Sequence, residues 1–285
     1  MVYYYGKEAG ITVSIFESII YGFVSGFSEF LPASSQGHQA IMFSLFGMTT
    51  RDPLRDLLVH IAVLLSLTIS CKPLLSHMRR EQAIAARRKG RRTERRGLYD
   101  LRLVKAAGLP LLIGLIFYIF ARRYEFKLLY VALFFVANGI LLLIPEYIRH
   151  GNKDARFLTG FDGLILGISG ALSVFPGISR VSTMHAYGIA RGADRNYVMN
   201  WILILSVPAL FVYLGFDIFN IFAVGINYFG FLHILGSIIS AVAAFAGGYF
   251  GIRLLRFLTV RTGFAGFAYY SWGAALFTFI LYLIV

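Results

Sequence analysis

Residues 25–38 read SGFSEFLPASSQGH. They close an apolar stretch, Ile11–Leu31, that is long enough to cross a bilayer but carries Glu17 and Glu29 and is stopped by Pro32. Proline removes a helical hydrogen bond and pushes the residue before it out of helical geometry, so the chain has to turn here. A second short apolar piece follows the turn. An apolar limb, a Ser-rich turn and a returning limb describe a hairpin that dips into a membrane and comes back. Non-helical backbone at that depth persists only where protein buries it or a water-filled cavity lies beside it. Because this turn carries a carboxylate, two adjacent serines and a histidine, the surroundings are expected to be wet and polar.

The rest of the chain supplies the membrane setting. Of its 285 residues 58% are hydrophobic and 14% charged, and the mean hydropathy is +0.71; an ordinary soluble domain has roughly 25% charged residues. Apolar runs that reach or approach the ~20 residues needed for a crossing lie at Lys127–Pro145, Tyr197–Phe216, Phe229–Ile252 and Ala265–Val285, with shorter ones at Leu54–Cys71 and Ala106–Ala121. Six spans are expected. The opening MVYYYGKEAG has one Lys, and the run after it is interrupted by Glu17, so no cleaved signal peptide is expected. Cys71 is the only cysteine, which excludes an intrachain disulfide and a thiolate metal cluster.

The basic charge is mostly local. Between Lys72 and Lys105 twelve Lys or Arg face Glu81, Glu94 and Asp100, so this segment supplies +9 of the +13 total. Such a loop belongs on the cytoplasmic side, where it can also meet anionic lipid headgroups. It has almost no aromatic interleaving, and nucleic acid is not an expected partner. With loop 72–105 inside, alternation puts Arg149, Lys153 and Arg156 inside, as well as Arg253, Arg256 and Arg261, and places both termini outside. Arg122 and Arg123 are the one local conflict.

A second interrupted stretch, Asp162–Phe175, is stopped by Pro176 and repeats the first. SGFSEFLPASS and SGALSVFPGIS share Ser, Gly, Pro and Ser at 25, 26, 32 and 35 against 169, 170, 176 and 179, an offset of 144 that is close to half the chain. Each copy precedes three expected spans, an odd number, so the second copy must enter from the opposite side. The expected fold is thus an all-α polytopic protein with six transmembrane helices and two re-entrant helical hairpins, forming one membrane domain over 1–285. Its two inverted repeats would cover 11–145 and 160–285, with the interrupted segments facing each other near the midplane and building the site there.

An ionised side chain at mid-bilayer costs at least ~2.5–3.5 kcal/mol and marks a functional site by default. The repeat sets Glu29 opposite Arg180, either as a structural ion pair or as part of a site. Ser34 and Ser35 offer hydroxyls, Gly37 frees the backbone, and His38 offers an imidazole that titrates near neutral pH. Ser179 stands beside Arg180 on a turn opened by Gly177. A guanidinium with hydroxyls and exposed turn N–H groups suits a phosphate. These residues alone leave serine and histidine equally open as nucleophile.

At these positions the chain resembles the undecaprenyl pyrophosphate phosphatases of the BacA/UppP type. Their first motif, E-G-x-x-E-F-L-P-x-S-S-x-G-H, is matched at Gly26, Glu29, Phe30, Leu31, Pro32, Ser34, Ser35, Gly37 and His38. Their second, P-G-x-S-R-S-G-x-T, is matched at Pro176, Gly177, Ser179 and Arg180. The resemblance continues through DLLVHIAVLLSL, ARGADRNY, ILSVPAL and AFAGGYFGIRLLRFL, nearly the whole chain. It implies a bacterial plasma-membrane enzyme whose site opens to the outer face and which removes one phosphate from a C55 polyprenyl diphosphate, regenerating the carrier lipid of cell-wall synthesis. Carried over by position, it makes Glu29 a metal ligand or proton-transfer group, Ser35 and His38 nucleophile or general acid and base, and Ser179 and Arg180 the diphosphate holders. Ser34, Gly177, Ser25 and Ser182 complete the substrate-binding set.

The chain departs from the family pattern at Ser25, where the first Glu of a pair stands, and at Val181, Ser182 and Met184, where Ser, Gly and Thr stand. One carboxylate fewer removes a hard oxygen ligand of the kind Mg²⁺ or Ca²⁺ prefers. Glu17 lies ~12 Å from Ser25 along a helix axis and is a poor substitute. These departures motivate a rival reading, a translocase that moves a polyprenyl phosphate or another anionic lipid without hydrolysis. A third reading is a non-catalytic partner of cell-wall enzymes, and a homodimer is compatible with the sequence. His60 reads as a satisfied core histidine and His185 as a neighbour of the second turn, while His77, His150 and His233 near expected membrane ends need no special role. The small residues of SIISAVAAFAGGYFG suit close helix packing.

Overall fold

A computed structural model describes residues 14–87, 101–121, 124, 127–148, 151, 159–224, 230–261 and 263–285. No β-strand occurs among them. The centre of the basic loop, Arg122, Arg123, Arg149, Lys153 and Arg156 lie outside the described residues. The first hairpin is α1 (Ile15–Glu29), a turn, and α2 (Ser35–Leu45); the second is α8 (Gly160–Ala171), a 3-10 turn over Leu172–Val174, and α9 (Arg180–Ala190). Between them come α3 (Pro53–Ser70), α4 (Lys72–Arg87), α5 (Leu101–Ile116), α6 (Tyr118–Ala121) and α7 (Leu128–Leu143). After the second hairpin come α10 (Arg195–Val224), α11 (Phe231–Arg261) and α12 (Ala265–Ile284).

Among the described residues five helices are long and apolar enough to cross a membrane: Pro53–Ser70, Leu128–Tyr147, Arg195–Ala223, Phe231–Arg261 and Ala265–Ile284. The protein is therefore a multi-pass membrane protein. The sixth expected span, over 106–121, is divided. Helix α5 ends at Ile116, Phe117 closes a tight turn by donating its N–H to Gly114 O at 3.0 Å, and α6 restarts the chain for four residues. Many large apolar side chains of the spans stay exposed, Phe219, Phe231, Val242, Tyr269 and Leu283 among them. In water that would be an aggregation hazard, but against lipid tails it is the expected surface.

Local chemistry sets the helix ends. Asp52 caps α3 by accepting from Leu54 N and Arg55 N at 3.1 Å, with Pro53 in the first turn where its missing N–H costs nothing. Thr159 and Asp162 form a capping box at the start of α8. Each hairpin's first limb packs along a helix of the opposite half, α1 along α11 and α8 along α5. Gly22 and Gly26 face the carbonyls of Ser240 and Ala244, and Gly247 and Gly251 face those of Phe23 and Phe27, so a Cβ on any of them would collide with backbone. Gly167 meets Ala107 O in the same way. Lipid provides no hydrophobic drive between helices, so backbone approach through small residues is what joins them. These contacts aim both turns into the middle of the bundle, α3 against α10 and α7 against α12 completing it.

Candidate active site

The two turns meet tip to tip. Ser34 Oγ accepts from Gly37 N at 3.3 Å within its own hairpin and from Gly177 N at 3.0 Å across the junction. Ser179 Oγ donates to Leu31 O at 3.0 Å, and Ser182 Oγ to Pro32 O at 3.4 Å. Both tips use unusual backbone: Ser34 has φ 59° and Gly177 φ +116°. A left-handed serine costs on the order of 1–3 kcal/mol and is held only where its surroundings over-determine it, as its two accepted hydrogen bonds do here.

Asn138 locks the junction from the side. Fully buried in α7, it accepts from Ser179 N at 2.9 Å through Oδ1 and donates through Nδ2 to Pro32 O at 3.1 Å and Ser271 Oγ at 3.2 Å. One amide thus ties both turns to α12. Asn138→Ala leaves Ser179 N–H without its acceptor, while Pro32 O keeps Ser182 Oγ, an expected loss of about 1–3 kcal/mol for the one stranded group. The readout is a lower melting temperature in detergent, partly recovered by Asn138→Asp, which keeps an acceptor; an unchanged melt would overturn this role.

Beside the junction opens a pocket of about 260 Å³ lined by Ser28, Glu29, Ser34, Ser35, Gln36, Ser173, Ile178, Ser179, Arg180 and Tyr213. Arg180 NH2 donates to Glu29 Oε1 at 2.8 Å, with side-chain exposures of 4% and 11%. No acceptor among the described residues reaches Arg180 Nε, so one edge of the guanidinium is unspent. Helices α2 and α9 begin at Ser35 and Arg180, both on this pocket, and their N-terminal ends add partial positive charge there. The N–H groups of Gly37, Gly177 and Ser179 are occupied by Ser34 and Asn138, so side chains and helix ends, rather than exposed turn amides, face the cavity.

Other expected site residues lie further off. Ser35 Oγ donates to Ser25 O at 3.2 Å, but Ser25 itself is buried behind the pocket, its hydroxyl accepting from Gln39 Nε2 at 3.2 Å. Gln39 Oε1 accepts from Arg51, which pairs with Asp56 at 2.9 Å, and Asp56 accepts from Tyr21 OH at 2.7 Å. A neutral hydrogen-bonded network thus occupies the place of the family's first Glu. Ser182, fully buried, points to Pro32 rather than into the cavity. His38 also leaves the pocket: Nδ1 bonds Ser34 O at 2.8 Å and Nε2 meets Tyr270 OH at 2.5 Å, with the two rings stacked. Since Ser34 O only accepts, Nδ1 carries the proton and Nε2 accepts from the tyrosine.

Sequence reasoning missed Gln36, Tyr213 and Asn138. Asn138 left a signal, as an uncharged amide in the apolar run LLYVALFFVANGILLL. Tyr213 is one of 17 tyrosines and left none. His60 pairs with Asp217 at 2.5 Å and stacks on Tyr213, and His233 pairs with Asp52 at 2.6 Å, so both have structural partners. His185 is buried against Phe264.

Fold and pocket together define a polytopic membrane protein in which two helical hairpins enclose an arginine-bearing polar cavity. The chain belongs to the family of the bacitracin resistance protein BacA, whose model matches residues 18–277. It is 29% identical over 262 residues to the undecaprenyl-diphosphatase of Treponema denticola, covering 90% of this chain and 94% of that one. It is 29% identical over 265 residues to that of Thermosipho melanesiensis (92% and 98%) and 26% over 257 residues to that of Carboxydothermus hydrogenoformans (90% and 93%).

Proposed function

We propose that this chain hydrolyses undecaprenyl diphosphate to the monophosphate, recycling the lipid carrier of cell-wall synthesis. The observation that carries the reading is the Glu29–Arg180 pair at the junction of two hairpin tips, opening onto a pocket rich in hydroxyls. The diphosphate binds on the unspent edge of Arg180 and at the starts of α2 and α9, with Ser179 and Ser34 holding the tips in register. The isoprenoid tail stays in the lipid. Ser35 Oγ attacks the terminal phosphorus, the anhydride bond to the lipid phosphate breaks, and Glu29 takes the serine proton. Water then hydrolyses the phosphoserine. His38 supports the turn through Ser34 rather than attacking.

The finer topology belongs to the same reading: two inverted repeats over 11–145 and 160–285, loop 72–105 in the cytoplasm, both termini outside and the pocket open to the outer face. The parallel packing of α1 on α11 and α8 on α5 supports it. For a divalent cation, the described residues contain no group of three or more His, Cys, Asp or Glu, and the pocket's one carboxylate is already paired. That donor set does not fit a cage built by protein alone. It would fit a Mg²⁺ or Ca²⁺ held chiefly by the diphosphate oxygens, which leaves Glu29 to take the serine proton. Such an ion would neutralise phosphate charge.

The test is phosphate release from undecaprenyl diphosphate by purified protein in detergent, with and without chelator. The expected result is release, reduced by chelator and restored by excess Mg²⁺, while the melting temperature of substrate-free protein stays the same. Lipid translocation in proteoliposomes without phosphate release would overturn the reading.

A further inference from the structure

Gln36 occupies a position that the first motif leaves open, yet it lines the pocket and is only 9% exposed. Its Nε2 donates to Tyr213 OH at 3.4 Å, and no donor among the described residues reaches its Oε1. A buried amide oxygen without a donor is costly and calls for a reason. The groups around it explain why the substrate does not supply one. Arg180, Ser35 and Tyr213 can all donate to a phosphate, whereas a diphosphate at neutral pH offers almost nothing but acceptors. Its oxygens and Gln36 Oε1 repel each other. The one reactant with hydrogens to give is water.

We propose that Gln36 is the residue that positions the attacking water, with Tyr213 holding its amide in that orientation. This rests on the hydrolytic reading above. Gln36 and Ser35 open α2 and both line the pocket, so the amide shares one cavity with the phosphoserine formed in the first step. A water donating one hydrogen bond to Oε1 is held with its lone pair toward phosphorus. The water oxygen bonds to phosphorus as the P–Oγ bond of Ser35 breaks; Glu29, protonated in the first step, returns that proton to Ser35 Oγ and takes one from the water, which it then releases to solvent, while the other water hydrogen leaves on the phosphate. Inorganic phosphate leaves and Gln36 is unchanged. The role belongs to the second step, so the first step should proceed without it.

That separation gives a test which a structural role would not pass. Gln36→Met keeps the shape and removes the acceptor. It is expected to lower kcat about tenfold to a hundredfold, the cost of a misplaced reactant, while kcat/KM stays within about threefold because formation of the phosphoserine is untouched. Lipid monophosphate should then appear in a burst of about one per enzyme before phosphate follows. Gln36→Glu keeps an acceptor and should return kcat to within about threefold of the parent, with its added charge felt in kcat/KM. If Gln36→Met does not accumulate in the membrane, Gln36→Asn, which withdraws the oxygen by one methylene, should give the same split. A fall in kcat/KM with kcat unchanged would mean that the opposite amide orientation binds phosphate through Nε2, and would overturn the proposal, as would an unchanged kcat in an active protein. If the parent protein releases no phosphate, the hydrolytic reading itself falls.

Discussion

Arg180→Ala is expected to lower phosphate release from undecaprenyl diphosphate by at least about a thousandfold. The magnitude is that of losing a preorganised charged donor where charge develops, compounded by loss of the ground-state anchor. No other described residue can substitute, because among the described residues Arg180 is the only cation lining the pocket. The substitution also strands Glu29. A buried carboxylate deprived of its partner costs roughly 3–5 kcal/mol, so the single variant is expected to be less stable as well as inactive. Glu29→Gln combined with Arg180→Ala isolates the stability effect: the double variant should recover thermal stability, because no buried carboxylate is left unpaired. Arg180→Lys restores charge but not the planar edge, and should recover only a small part of the rate. Full activity in a folded Arg180→Ala protein would remove the basis of the proposed site.

Ser35→Ala is expected to be comparably severe, below about a thousandth of the parent rate, whereas His38→Ala should cost about tenfold or less, the difference between a lost nucleophile and a loosened turn. The contrast rests on direction. Ser35 stands on the pocket wall, and among the described residues its hydroxyl has one weak partner, Ser25 O at 3.2 Å. The imidazole of His38 has both nitrogens committed, to Ser34 O and Tyr270 OH, and does not line the pocket. Rates of phosphate release for the two variants, each with its melting temperature, decide the matter. An active Ser35→Ala beside a dead His38→Ala would make histidine the nucleophile and require its ring to leave Tyr270.

The substitution at Ser25 takes on a physical meaning only in the folded protein. With a carboxylate lost from the motif, a hole in the cation site was the natural expectation. Instead the serine ends a chain of neutral and paired groups running through Gln39 and Arg51 to Asp56. A second carboxylate there would have to be matched by those same buried groups, so Ser25 and Gln39 read as mutually adapted.

Much of this protein was legible from local signals. Hydropathy runs located five of the six expected spans; over the sixth, 106–121, α5 stops at Ile116 and α6 restarts at Tyr118. Pro32 and Pro176 marked both turns because a proline acts on its own neighbours. The facing of Glu29 and Arg180 followed from the repeat that sets the two turns opposite each other, and they lie 2.8 Å apart. What the sequence could not assign was direction. Successive residues on a helix point about 100° apart, and a turn in unusual backbone obeys no period at all, so which of Ser34, Ser35, Gln36 and His38 would face the cavity depended on where α7, α10 and α12 pack. Those helices contribute Asn138, Tyr213 and Tyr270 from more than a hundred positions away, and contacts that distant are made only when the bundle closes.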